Sequence, residues 1–222
     1  MNLLHHFVLS APSRALRLQM AEYKMEFQLQ DKLPWQRDES FLMMNPSGSV
    51  PVLQCPQRRI LCGFRAASEY IEETEENTYL LGSDAIVRAD VRRLLDWFEL
   101  KFDREVLRPI VNERVIKRFH SGEAVSSQTI RSASMNAQVH MKYLEYLTSE
   151  QNWLTGSDLT LADLMAAANL SVLDYFGDID WARYEHVKGW YMKLKSRPSF
   201  QPLLGDQLAG LTPSSHYTKI DF

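Results

Sequence analysis

Hydrophobic positions follow two different periods along this chain, short strand-like runs first and long helical stripes afterwards. Residues 3–7 are a brief apolar run that reads as a buried strand. Ser10-Ala11-Pro12-Ser13 comes next, a hydroxyl ahead of a proline, with Leu16, Met20 and Ala21 on one face. That pattern opens a helix. Residues 25–30 alternate well enough for a second strand, with Phe27 and Leu29 on one face. A loop around Pro34-Trp35 leads to a short helix over 38–44. It must stop before Asn45-Pro46, because the residue preceding a proline disfavours helical geometry. A turn at 47–51 feeds a strand ending at Leu53. A second brief strand follows over 58–61, and a helix over 66–73.

From Ser83 the period lengthens. Val87, Val91, Leu94, Leu95, Phe98, Phe102 and Val106 recur every three or four residues and predict a long amphipathic helix. Pro109 should kink it, since proline removes an intrahelical hydrogen bond. The stripe resumes with Val111, Val115, Ile116 and Phe119, and 120–127 is a polar loop. Ile130, Ala133, Ala137, Met141, Leu144 and Leu147 mark another helix; 161–175 and 187–194 mark two more. Beyond about Gly205 the chain is turn-rich without a helical period. These changes of pattern divide it into 1–76, 83–204 and a tail over 205–222.

Composition narrows the function. With 222 residues, 45% hydrophobic and 24% charged, the chain can bury a sizeable core without disulfides or metal. A formal net charge of −3 argues against non-specific nucleic-acid binding, which needs a basic excess. No run approaches the roughly 20 apolar residues of a membrane span. The N-terminus lacks a basic region, and His5 and His6 interrupt its apolar stretch, so it does not read as a signal peptide. A cytoplasmic, non-membrane protein is expected. Cys55 and Cys62 form no C-x-x-C pair and should be free thiols. His5 and His6 read as packing or surface residues rather than ligands. No metal motif is present, and Ser47-Gly48-Ser49 is a turn rather than a phosphate loop, so neither metal nor cofactor is expected.

The order strand, helix, strand, helix, strand, strand, helix is that of a thioredoxin-like domain, here followed by an all-helical one. The pair resembles the glutathione-transferase fold. Asn45-Pro46-Ser47-Gly48-Ser49-Val50-Pro51-Val52-Leu53 is similar to that family's NPxGxVPvL, and the resemblance implies a cis Val50–Pro51 bond that turns Val50 toward the ligand groove. Gly156 with Leu159-Thr160-Leu161-Ala162-Asp163 resembles the family's capping motif, in which Thr160 and Asp163 cap a helix and Asp163 is structural. Trp190 with Arg197-Pro198-Ser199 resembles a third motif.

The family stabilises the glutathione thiolate with a hydroxyl or thiol at the start of the first helix. Ser10 matches that position in the serine-type classes, and equally reads as an ordinary helix N-cap. The family's acid–serine pair, which holds the γ-glutamyl end, aligns with Gly63 and Phe64. Gly63 offers no carboxylate and Phe64 no hydroxyl. Each lost charge-assisted hydrogen bond costs roughly 1.5–3 kcal/mol, so the glutathione site around Val50, Pro51, Gly63 and Phe64 reads as degenerate. Arg65 could supply a compensating charge.

Several segments resemble one branch of the superfamily, the FzlA-type division proteins of alphaproteobacteria. They are residues 32–37, 96–106, 113–118, Asp174-Tyr175-Phe176-Gly177-Asp178 and the terminal HYxxxDF. That resemblance implies a non-enzymatic homodimer that binds FtsZ polymers at the division site and promotes constriction and wall synthesis. It places the FtsZ contact on Trp35, Arg37, Lys101, Glu105, Arg108, Glu113, Lys117 and Arg118. Tyr217, Asp221 and Phe222 would dock a second division protein. The alternative is a serine-type glutathione transferase using Ser10.

Overall fold

The computed structural model describes residues 1–33, 35–36, 38–56, 59–76 and 78–221. A four-stranded sheet has the order β2-β1-β3-β4, built from β1 (Asn2–His6), β2 (Phe27–Asp31), β3 (Val52–Gln54) and β4 (Ile60–Cys62). β1 runs parallel to β2, with Leu4 opposite Leu29, and antiparallel to β3, with Leu4 opposite Leu53. The two inner strands are the covered ones: Leu4, His5 and His6 on β1 and Val52 and Leu53 on β3 are buried, while β2 lies at an edge and is largely exposed.

Helix α1 (Ala11–Glu22) starts where the sequence places it, with Ser10 as N-cap. Lys24 then adopts a positive φ of 54° and the Met25 N–H closes on the Met20 carbonyl. That turn occupies the first residues of the expected second strand, so β2 begins at Phe27. The short helix α2 (Glu39–Met44) is capped by Asp38, which accepts from the Ser40 and Phe41 N–H groups. Helix α3 (Phe64–Thr74) begins two residues before the expected 66.

The helical half begins with α4 (Ala85–Asp96), capped by Asp84. The chain stays right-handed and helical through a wide-turn, i→i+5 bonded stretch at Trp97–Leu107, a single α-turn α5 (Arg108–Val111) and a second wide stretch at Asn112–Ser121. The interruption expected at Pro109 is thus a change of helical pitch on both sides. An α-helical ladder would pair the Glu105 carbonyl with the N–H of residue 109, which proline lacks, and Asn136 Nδ2 donates to that carbonyl instead at 3.1 Å.

Helices α6 (Ser127–Glu150), α7 (Leu161–Phe176), α8 (Glu185–Lys195) and α9 (Gln201–Leu204) complete the chain. α7 is buried on every side from Leu161 to Tyr175 and packs against α1, joining the two halves. Its start carries the capping box. The Asp163 carboxylate accepts from the Thr160 N–H and hydroxyl, the Leu154 N–H and the Trp190 indole. The Arg197–Ser199 motif reaches back to α1: Arg197 donates twice to Glu22 at 2.7 Å, and Ser199 also binds Glu22.

The tail differs most from expectation. Tyr217 is fully buried, its hydroxyl donating to the Leu203 carbonyl at 2.8 Å. Its ring meets Tyr175 at 5.2 Å, with the Arg14 and Lys195 cations 5.7 and 5.9 Å from its centroid. Tyr217 is therefore a core residue rather than a docking one, held there by a hydroxyl partner and two cations. Asp221 is exposed, and Phe222 lies outside the described residues.

Candidate functional site

A cavity of about 500 Å³ opens between the sheet domain and the helical half. Phe7, Leu9, Ser10 and Pro12 form its floor, Leu33, Phe41 and Val50 one wall, and Leu100, Leu107, Val111 and Ile116 the other. The charges at its rim are paired within the protein. Lys32 binds Asp38 at 2.5 Å and holds that carboxyl below its usual range; Arg108 binds Asp103 at 2.6 Å. The remaining surface is mainly apolar and suits an uncharged ligand.

Of the sequence-predicted positions, Ser10 and Val50 line this cavity, whereas Gly63 and Phe64 stand outside its lining. The Val50–Pro51 bond is cis and Val50 lines the wall. Ser10 lines the cavity, and its Oγ accepts from the Ser13 N–H at 3.3 Å, so the N-cap role is filled. Gly63 has φ +85° and ψ 158°, a conformation that favours glycine over any L-residue. Phe64 is 1% exposed; its ring belongs to the hydrophobic core and offers no polar group there. Arg65 supplies no free charge, because it pairs with Asp96 and, at 2.9 Å, with Glu99. Among the described residues, no group of three His, Cys, Asp or Glu side chains could hold a metal ion.

Family comparisons agree with this geometry. The glutathione S-transferase N-terminal domain matches residues 10–74, and the C-terminal domain of the same family matches 115–204. The chain is 42% identical over 222 residues to FtsZ-localized protein A of Caulobacter vibrioides, covering 99% of this chain and 97% of that protein. This chain belongs to the glutathione S-transferase family. Two solved structures of the family superpose with a TM-score of 0.96 over its whole length: FzlA from C. crescentus at 42% identity, covering 99% of that chain, and a glutathione S-transferase from Rhodospirillum rubrum at 41%, covering 100%.

Within this transferase fold, the residues expected on a contact surface separate into two groups. Glu113 is buried, accepting from the Ser126 N–H at 2.7 Å and from Lys117 at 3.0 Å, contacts that hold its carboxyl below its usual range. It closes the loop ahead of α6 and, being buried, presents no contact surface, contrary to expectation. Lys117 is drawn inward with it. Lys101 and Glu105 pair at 2.5 Å, and Glu105 also meets His140 Nε2 at 3.1 Å. The Trp97 indole donates to His140 Nδ1 at 3.0 Å, and burial pushes the His140 pKa down. Arg108 and Arg118 are exposed, Arg118 lying over Phe119 at 5.3 Å. Trp35 is half-buried, edge-on to Phe7 at 5.9 Å and stacked on Phe119 at 6.5 Å. Arg37 lies outside the described residues.

Sequence reasoning missed a buried polar network beneath the tail. Arg17 on α1 binds Asp206 through two bonds of 2.6 and 3.0 Å. Arg14, fully buried, donates to the Val8 carbonyl at 2.6 Å and to Ser171 at 2.7 Å. Asp174 on α7 meets Lys195 at 3.2 Å, Tyr191 at 3.2 Å, Trp181 at 3.3 Å and the tail residue His216 at 2.9 Å. The available signal was the pair of arginines on α1: Arg14 and Arg17 stand three positions apart on a helix whose neighbours at 15, 16 and 18 are apolar.

Proposed function

We propose that this chain is a non-enzymatic division protein that binds FtsZ filaments as a homodimer in the cytoplasm at the division site, where it promotes constriction and septal wall synthesis. The supporting observation is the 42% identity to FtsZ-localized protein A, which runs through both halves and the tail. The chemistry of the cleft favours the same reading. Gly63 and Phe64 offer the γ-glutamyl end neither carboxylate nor hydroxyl, and Arg65 is committed elsewhere. Residues 1–76 and 83–204 act as the two domains. The FtsZ contact uses the exposed or half-exposed members of the predicted set: Trp35, Lys101, Glu105, Arg108, Lys117 and Arg118. The end of the tail, with Asp221 and Phe222, offers a second contact for another division protein.

One specific observation favours the serine-type transferase: Ser10 lines the cavity. A paired experiment separates the two. The protein is sedimented with FtsZ polymerised by GTP and, separately, passed over immobilised glutathione. Co-sedimentation without retention on the resin is expected. Retention without co-sedimentation would overturn the proposal in favour of Ser10 chemistry.

A further inference from the structure

The tail meets the cavity through a stack of aromatic rings. Gly210 sits in the turn closed by the Leu208–Leu211 bridge, with φ +80°. The turn lies close against Phe119: a Cβ added at Gly210 would stand 3.1 Å from the Phe119 ring. Phe119 lies nearly parallel to Trp35, with an interplanar angle of 11° and centroids 6.5 Å apart. Trp35 meets Phe7 edge-on at 5.9 Å, and Phe7 is part of the cavity floor. Ile116, one turn before Phe119, lines the opposite wall. Three segments remote in sequence therefore share one row of rings, which runs from the cavity lining to the tail turn.

From this row we infer that the tail and the interdomain cavity are conformationally coupled through Phe7, Trp35, Phe119 and Gly210. Aromatic pairs at these separations have preferred offset and edge geometries, so displacing one ring re-seats its neighbours. Moving the tail turn shifts Phe119 and hence Trp35 and the cavity floor. Filling the cavity shifts the row the other way. Equilibrium coupling is reciprocal, so whatever occupies the cavity biases how the tail is seated, and a partner drawing on the tail biases the cavity. This coupling does not depend on which partner or ligand is bound.

The test perturbs each end, reads the other, and then removes the middle. Hydrogen exchange is followed by mass spectrometry on the full chain. Trp35→Leu should change exchange of the tail amides at 208–214 at least threefold. Gly210→Ala should do the same for the segment that carries Phe7 and Ser10. Both remote responses should vanish when the same substitutions are made in a Phe119→Leu background, which keeps an apolar side chain but breaks the stack. Should Gly210→Ala fail to fold, Trp35→Leu still tests the row from its other end. Remote exchange unchanged in the Trp35→Leu protein, or a response that survives Phe119→Leu, overturns the inference.

Discussion

Truncating Tyr217 to alanine should destabilise the whole protein, although the residue is only five positions from the C-terminus. The ring is fully buried among Tyr175, Arg14 and Lys195, and its hydroxyl satisfies the Leu203 carbonyl. Removing a buried aromatic side chain to alanine costs about 3–5 kcal/mol. In a chain of this size each kcal/mol lowers Tm by roughly 2–4 °C, so a drop of roughly 6–20 °C is expected. Tyr217→Phe keeps the ring and loses one hydrogen bond, worth about 1 kcal/mol, and should fall by roughly 2–4 °C. Asp221→Ala, at an exposed position, should stay within about 0.5 kcal/mol of the parent. The three variants are melted side by side by circular dichroism at one protein concentration. A Tyr217→Ala protein melting within about 2 °C of the parent would refute the core assignment and return Tyr217 to the role of an exposed docking residue.

Other outcomes follow from the same contacts. Burial, then the Arg17 charge, holds the His6 pKa down to about 4 against 6.5 for a free imidazole. The unfolded chain therefore binds more protons between those values. Stability is full above about pH 6.5 and is lost as pH falls toward 4, by an amount on the order of 3 kcal/mol, so a His6→Gln protein should show a flatter acid limb in Tm against pH. Phe64→Ser should cost about 3–5 kcal/mol, read by urea denaturation, because the ring is core. Joined with Gly63→Glu it should also raise retention on glutathione resin. Unchanged retention would show that the account of the altered site is incomplete. Asp163→Ala removes the acceptor for four donors and should lower the yield of folded protein, with no effect on FtsZ co-sedimentation per folded molecule.

Much of this architecture is legible in the sequence because local periodicity and local chemistry agree. Ser10, Asp38, Ser126 and Thr160 each stand one residue before a helix, and the stripe from Val91 to Val106 marks one buried face. Phe64 and Gly63 are also legible, since an apolar ring or a glycine cannot replace a polar recognition pair. The errors lie where partners are distant in sequence. Glu113 reads as one more charge on an exposed helix, yet it accepts from the Ser126 N–H thirteen residues on. The tail reads as a segment outside the fold because its residues have no helical period. Its order comes from single contacts to α1, α7 and α8, which no window along the chain can contain.

The Arg17–Asp206 pair, joined across 189 positions, bears on how the protein is made. Synthesis runs from the N-terminus, so α1 emerges early carrying two arginines whose carboxylate is still untranslated. His216 and Tyr217, which complete the Asp174 cluster, come later still. A nascent or prematurely ended chain can form the sheet and most helices, but it keeps buried cations without their counter-charge, a costly state. Asp206, His216 and Tyr217 thus serve as a late seal on the buried network. A chain missing them is destabilised and opens more readily to proteases, so incomplete copies are marked for removal.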